Sequence, residues 1–76
     1  MQKNYWLIKC NHTPETIDRI MMQFRKRGLS INSLEYKKLD MLSATCKIEF
    51  DEVEEQAEKI YKNMLRSVDI NEIEKI

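Results

Sequence analysis

Few side chains in this sequence could carry chemistry, and they are scattered. His12 is the one histidine among 76 residues. No Ser, Cys or acid stands at a spacing that would place it beside the ring, so neither a nucleophile and base nor a metal ligand set can be assembled around it. It reads as a solvated loop residue ahead of a helix. The two cysteines, Cys10 and Cys46, lie far apart and form neither a CxxC pair nor a disulfide framework; they read as buried, reduced thiols that could share one sheet face. Glu52, Glu54, Glu55 and Glu58 crowd the first half of a helical stretch, where a carboxylate lacks the burial a general acid needs. Arg25-Lys26-Arg27 is the only basic cluster, and a helix terminus accounts for it. The residues therefore predict no catalytic site, no metal site and no enzyme.

Composition narrows the partners. Thirteen Lys and Arg against thirteen Asp and Glu give zero formal net charge, so no global field draws in nucleic acid or an anionic membrane. Unbroken apolar runs such as Tyr5 to Ile8 and Ile20 to Met22 fall far short of the roughly 20 residues that span a bilayer. Met1 to Asn4 lack the apolar core of a signal peptide, which points to a cytoplasmic protein. The length predicts a single domain over residues 1–76. A domain this small buries only about 60% of its unfolded surface, so self-association would help to stabilise it.

The elements that must hold these residues can be placed from the pattern. The chain has one Pro and one Gly, and they bracket a helix. Thr13 is suited to the N-cap and Pro14 to the first helical position, Glu15 and Asp18 to the positive end, and Arg25 to Arg27 to the last turn before Gly28. Ile17, Ile20, Met21 and Phe24 form its apolar stripe. A second helix is expected to start at an Asp51 cap with Glu54 behind it and to end near Arg66, with a stripe of Val53, Ala57, Ile60, Tyr61 and Met64.

The rest reads as strands. Tyr5 to Cys10 is aromatic and branched on both sides of the pleat, as in a central strand. Trp6, Ile8 and Cys10 are taken to face the helices, with Tyr5, Leu7 and Lys9 opposite. Ala44, Cys46, Ile48 and Phe50 alternate with polar residues. Leu29 to Lys38 is a weaker strand, followed by a turn at Leu39 to Leu42. Val68 begins a last strand, in which Ile73 falls on the other parity from Val68 and Ile70; a bulge near Asn71 or Glu72 would explain the change.

The order strand, helix, strand, strand, helix, strand gives an α+β, ferredoxin-like βαββαβ fold, a four-stranded antiparallel sheet with both helices on one face. On the bare face, Tyr5 and Leu7 are candidate partner contacts. Several activities hosted by this architecture are excluded. The third strand offers only Lys47 and Thr45 on the open face where RNA binders stack bases on aromatics. The loop after the first strand, Asn11-His12-Thr13-Pro14, holds neither the CxxC of a metal chaperone nor the anion cradle of an acylphosphatase.

From His12-Thr13-Pro14-Glu15-Thr16-Ile17 to Arg27-Gly28-Leu29-Ser30-Ile31-Asn32-Ser33-Leu34, the sequence resembles an ACT domain, specifically the small regulatory subunit of acetolactate synthase (acetohydroxyacid synthase). In that family the stretch runs Asn-x-Pro-Gly-x-Leu, an amphipathic helix, then Arg-Gly-Tyr-Asn-Ile-x-Ser-Leu, and the register holds without a gap. The resemblance implies a non-catalytic partner that activates a catalytic subunit in branched-chain amino acid synthesis. The cofactors, thiamine diphosphate, Mg and FAD, would lie on that subunit and none in this chain. It also implies a homodimer paired through the second strand, with Leu29, Ile31, Leu34 and Tyr36 on the edge. An amino acid effector would lie at the first loop, at His12, Thr13, Pro14, Glu15 and Thr16, with Ser30.

The departures bear on that effector. His12 replaces the family's loop Asn, Glu15 its Gly and Ser30 its second Asn. Glu15 places bulk and negative charge where a carboxylate would bind, a repulsion of order 1 kcal/mol, so valine feedback is expected to be weak or absent. The length fits the family's short, single-ACT type. The alternative implied is a freestanding ACT-type sensor of some other amino acid.

Overall fold

The computed structural model describes residues 1–76. In chain order it has β1 (Gln2–Asn11), α1 (Thr16–Arg25), β2 (Ser33–Lys38), β3 (Ser43–Glu52), α2 (Glu54–Leu65) and β4 (Ile70–Lys75). The sheet order is β2-β3-β1-β4, with every neighbouring pair antiparallel. This is the ferredoxin-like arrangement expected from the sequence. No helix is long and apolar enough to cross a membrane.

Alternation fixes the two faces. Trp6, Ile8 and Cys10 of β1 and Ala44, Cys46, Ile48 and Phe50 of β3 are buried against the helices, because successive side chains of a strand point to opposite faces. Trp6 stands edge-on to Phe50, with centroids 4.9 Å apart, and Phe24 of α1 packs on Phe50 at the same distance. These offset aromatic contacts make a dense centre. Ile20 from α1 and Ala57, Ile60 and Met64 from α2 close it.

In β4 the pairing slips by one residue: Lys9 opposes Glu72, but Cys10 opposes Ile70. Asn71 is the extra residue of a bulge, and it allows Ile70 and Ile73 both to face the core. The parity change in the sequence foretold this feature.

Several boundaries differ from the sequence reading. The first helix starts at Thr16, not at a Thr13 cap. Pro14 and Glu15 form a turn, and Glu15 occupies the cap position without a side-chain cap bond. Thr16 replaces Ile17 on the buried stripe, Ile17 is half-buried, and Met21 lies 38% exposed. Asp51 is no cap, because the β1–β3 ladder runs on to pair it with Lys3. The helix cap is Val53, whose amide donates to the Glu52 carboxylate at 2.9 Å. Val53 itself is exposed. The second strand begins at Ser33, so Leu29 and Ile31 precede the edge and pack, half-buried, against the core. Val68 is exposed and lies ahead of β4.

Gly28 follows α1 with φ 68°, the left-handed conformation that ends helices and suits glycine. Leu29 N then donates to Phe24 O at 3.0 Å, which turns the chain toward β2.

Candidate functional site

Three connections meet at one end of the sheet: the β1–α1 loop, the β2–β3 hairpin tip and the α2–β4 turn. Asn11 N donates to Asp69 O at 2.7 Å, and His12 N donates to Leu42 O at 2.8 Å. These two bonds stitch the loop to its neighbours on both sides.

Thr16 organises the loop from below. Its buried hydroxyl donates to Asn11 O at 2.8 Å and accepts from Thr13 N at 3.0 Å. With that proton directed to Asn11, the Thr13 hydroxyl at 2.8 Å donates to it as well. All the capacity of the hydroxyl is thus engaged. Asn71 adds a bond from Nδ2 to Asn11 Oδ1 at 3.0 Å. Arg19 forms an ion pair with buried Asp69, fastening α1 to the α2–β4 turn.

His12 turns inward. Its Nδ1 is 2.9 Å from the Tyr36 hydroxyl, a hydrogen bond that crosses from the loop to β2. Burial, and then the neighbouring Cys10 thiol, push the Tyr36 phenol above its ordinary range. Burial also raises Cys10, and it pushes Cys46 up to about 12. Both cysteines are buried and free. At neutral pH they are thiols and not thiolates, so they are poor nucleophiles and poor metal ligands.

The expected site residues therefore divide. His12, Thr13 and Thr16 converge on one network. Pro14 and Glu15 are exposed on its outer rim. Ser30 is exposed beyond Gly28 at the other end of α1, roughly 15 Å away by helical rise, and the fold does not bring it to the loop of its own chain. Leu34 and Tyr36 are half-buried on the helix face of β2. Tyr36, Asn11 and Asp69 escaped the sequence reading as loop partners. Tyr36 lies 24 residues from His12, and no local spacing could pair them.

On the open sheet face, Tyr5 is exposed and Leu7 half-buried, with charges all round them. Lys3 pairs with Glu49 at 3.7 Å, and Lys9 sits 3.5 Å from Glu72 and 3.3 Å from Glu74. The hydrogen bond to Glu74 and the field of Glu72 raise the Lys9 ammonium above its usual range. This face is a charged grid with small apolar spots at Tyr5, Leu7 and Ile76.

The arrangement cannot cradle an anion easily. Along the loop, the amides of Asn11, His12, Thr13 and Thr16 all have acceptors within the chain, and Pro14 has no amide proton. The remaining amides at the helix start share that end with the carboxylates of Glu15 and Asp18, which complement its partial positive charge.

No protein-family profile matches the chain, and no curated protein sequence matches it. Solved structures do. The acetolactate synthase small subunit of Thermotoga maritima superposes with a TM-score of 0.84 at 14% identity, over 99% of this chain. This chain spans 47% of the length of that one. The ACT domain from GTP pyrophosphokinase of Chlorobium tepidum superposes in its solution structure with a TM-score of 0.80 at 10% identity, covering 99% of this chain and 85% of that one. In its crystal structure the TM-score is 0.78 at 9% identity, covering 97% and 96%. At such low identities the likeness establishes architecture alone: this chain has the ACT-like ferredoxin fold.

Proposed function

We propose that this chain is a non-catalytic regulatory subunit that pairs with itself through β2 and activates an acetolactate synthase catalytic subunit. The observation that carries the reading is the stretch Arg27-Gly28-Leu29-Ser30-Ile31-Asn32-Ser33-Leu34, which resembles that family and leads from α1 into the edge strand of a fold shared with the Thermotoga maritima small subunit. Thiamine diphosphate, Mg and FAD belong, on this reading, to the catalytic subunit. Valine binds weakly or not at all, because the loop amides are engaged and Glu15 adds a negative charge.

A second reading has support from the likeness to the GTP pyrophosphokinase ACT domain. On it the chain is a freestanding amino acid sensor that acts on another partner.

One experiment separates them. Acetolactate formation by the catalytic subunit from the same source is titrated with this chain, with and without valine. A saturable rise in rate that valine leaves unchanged is the expected result. No change in rate and no co-elution of the two chains would favour the freestanding sensor. Calorimetric titration of the isolated chain is expected to show no micromolar valine binding.

A further inference from the structure

The β2–β3 hairpin tip places two strongly exposed apolar side chains next to each other. Met41 is 82% exposed and Leu42 78%. The tip is nevertheless ordered, because the Asp40 carboxylate accepts from Leu42 N and Ser43 N, both at 2.8 Å. Those bonds also hold the carboxyl below its usual range. At the opposite end of the same edge lies an apolar groove of about 550 Å³, lined by Met21, Phe24, Leu29 and Ile31 with Asp18 and Arg25 at its rim. A rigid apolar projection and an apolar groove thus flank the two ends of β2.

The strand between them sets a register. Leu39 N donates to Ser43 O at 2.9 Å. By the alternation of an antiparallel ladder, Ser33, Glu35 and Lys37 turn their backbone groups to β3, and Leu34, Tyr36 and Lys38 turn theirs outward. Two copies joined by a twofold axis can pair these outward groups with Glu35, Tyr36 or Lys37 on the axis. Glu35 on the axis would face its own copy, and so would Lys37; like charges directly opposite are unfavourable. With Tyr36 on the axis, Glu35 stands opposite the partner's Lys37, twice. Charge complementarity therefore selects one register.

In that register the hairpin tip beyond Lys38 runs toward the partner's segment ahead of Ser33, which holds Leu29 and Ile31. We infer that the hairpin tip of each protomer docks into the groove beside Leu29 and Ile31 of a second copy, so that Met41 and Leu42 fill it at both ends of the central β2–β2 seam of a continuous eight-stranded sheet. This rests on the self-pairing through β2 proposed above and adds to it a residue-level contact. It also answers a deficit of area: six paired residues supply hydrogen bonds but little apolar surface, and a stable interface needs about 800 Å² from each partner.

Cross-linking tests the two levels separately. Tyr36→Cys, made together with Cys10→Ala and Cys46→Ala so that the thiols beside it in its own chain cannot compete, reports the axis, since opposed residues of a hydrogen-bonded pair lie about 5.5 Å apart, within disulfide reach. The pair Met41→Cys with Ile31→Cys reports the docking. Within one chain those two positions are separated by the whole of β2, roughly 20 Å, so a bond between them must join two molecules. Both variants are expected to give covalent dimers under mild oxidation. A Tyr36→Cys dimer without a Met41–Ile31 link would overturn the docking and leave the edge pairing standing. A chain that sediments as a monomer at all concentrations would overturn both.

A second measurement does not depend on oxidation. Met41→Asp should weaken dimerisation about tenfold or more, the scale of one lost buried side chain. Val68→Asp alters a residue 84% exposed at the same end but off this register, and should leave dimerisation unchanged. Equal effects from the two substitutions would count against the docking.

Discussion

The β1–α1 loop and the outer side of β2 both lie at the surface of the fold, yet they dispose of their backbone groups in opposite ways. Every amide from Asn11 to Thr13 has an acceptor inside the chain. The outward groups of Leu34, Tyr36 and Lys38 lie on the unpaired side of an edge strand. A small anion needs free donors on a loop, whereas another polypeptide needs a free row of donors and acceptors. The molecule offers the second and has closed the first.

The comparison can be broken most directly at Thr16. Replacing it with Val keeps the shape, removes the hydroxyl, and leaves Asn11 O and Thr13 N without their buried partner. A loss of about 2–3 kcal/mol in denaturant unfolding is expected, together with faster amide exchange at Thr13. Unchanged exchange there would show that the loop is held by something other than this hydroxyl.

Alkaline pH should act on the same region from beneath. The Cys46 thiol titrates near 12 in the folded state against 9.0 as its ordinary value. A group raised on folding contributes stability that is complete below pH 9 and disappears as pH climbs from 9 toward 12. Tyr36 and Cys10 are raised too and add to the trend. Unfolding free energy should fall over that window, and Cys46→Ala should show a shallower slope.

On the edge side, Lys37→Glu should weaken self-association several-fold by setting two carboxylates opposite each other, and adding Glu35→Lys should restore it. Failure of the double variant to recover would discard the register with Tyr36 on the axis. The smallest expected effect is at the point where the two regions touch. Tyr36→Phe removes the bond to His12 and should cost about 0.5–1.5 kcal/mol, read as a lower thermal midpoint with the dimer intact.

How much of this was legible in the sequence depended on whether the signal was local. The alternation of Ala44, Cys46, Ile48 and Phe50 identified a buried face directly, and the parity of Ile70 and Ile73 exposed the bulge. Asp51 was misread as a cap because its local chemistry suits one. Pairing of Gln2, Lys3 and Asn4 with Glu52, Asp51 and Phe50 extends β3 through it, and nothing in those polar residues announces a ladder. The same holds at the candidate site. The sequence placed Thr13 and Thr16 at the loop but set the helix start at Thr13 and Pro14, two residues too early. The bonds from Asn11 to Asp69 and from His12 to Tyr36 follow only from the fold.

The bulge at Asn71 limits what the sheet can build. On β4 it interrupts the ladder, and the strand presents Glu72, Glu74 and Lys75, features that discourage a further strand from joining. β2 has no such interruption. A molecule with one receptive edge has a valence of one, and units of valence one combine into pairs and stop. Two receptive edges would let each addition expose another and grow a filament. One extra residue in the last strand thus favours a closed assembly over an unlimited one.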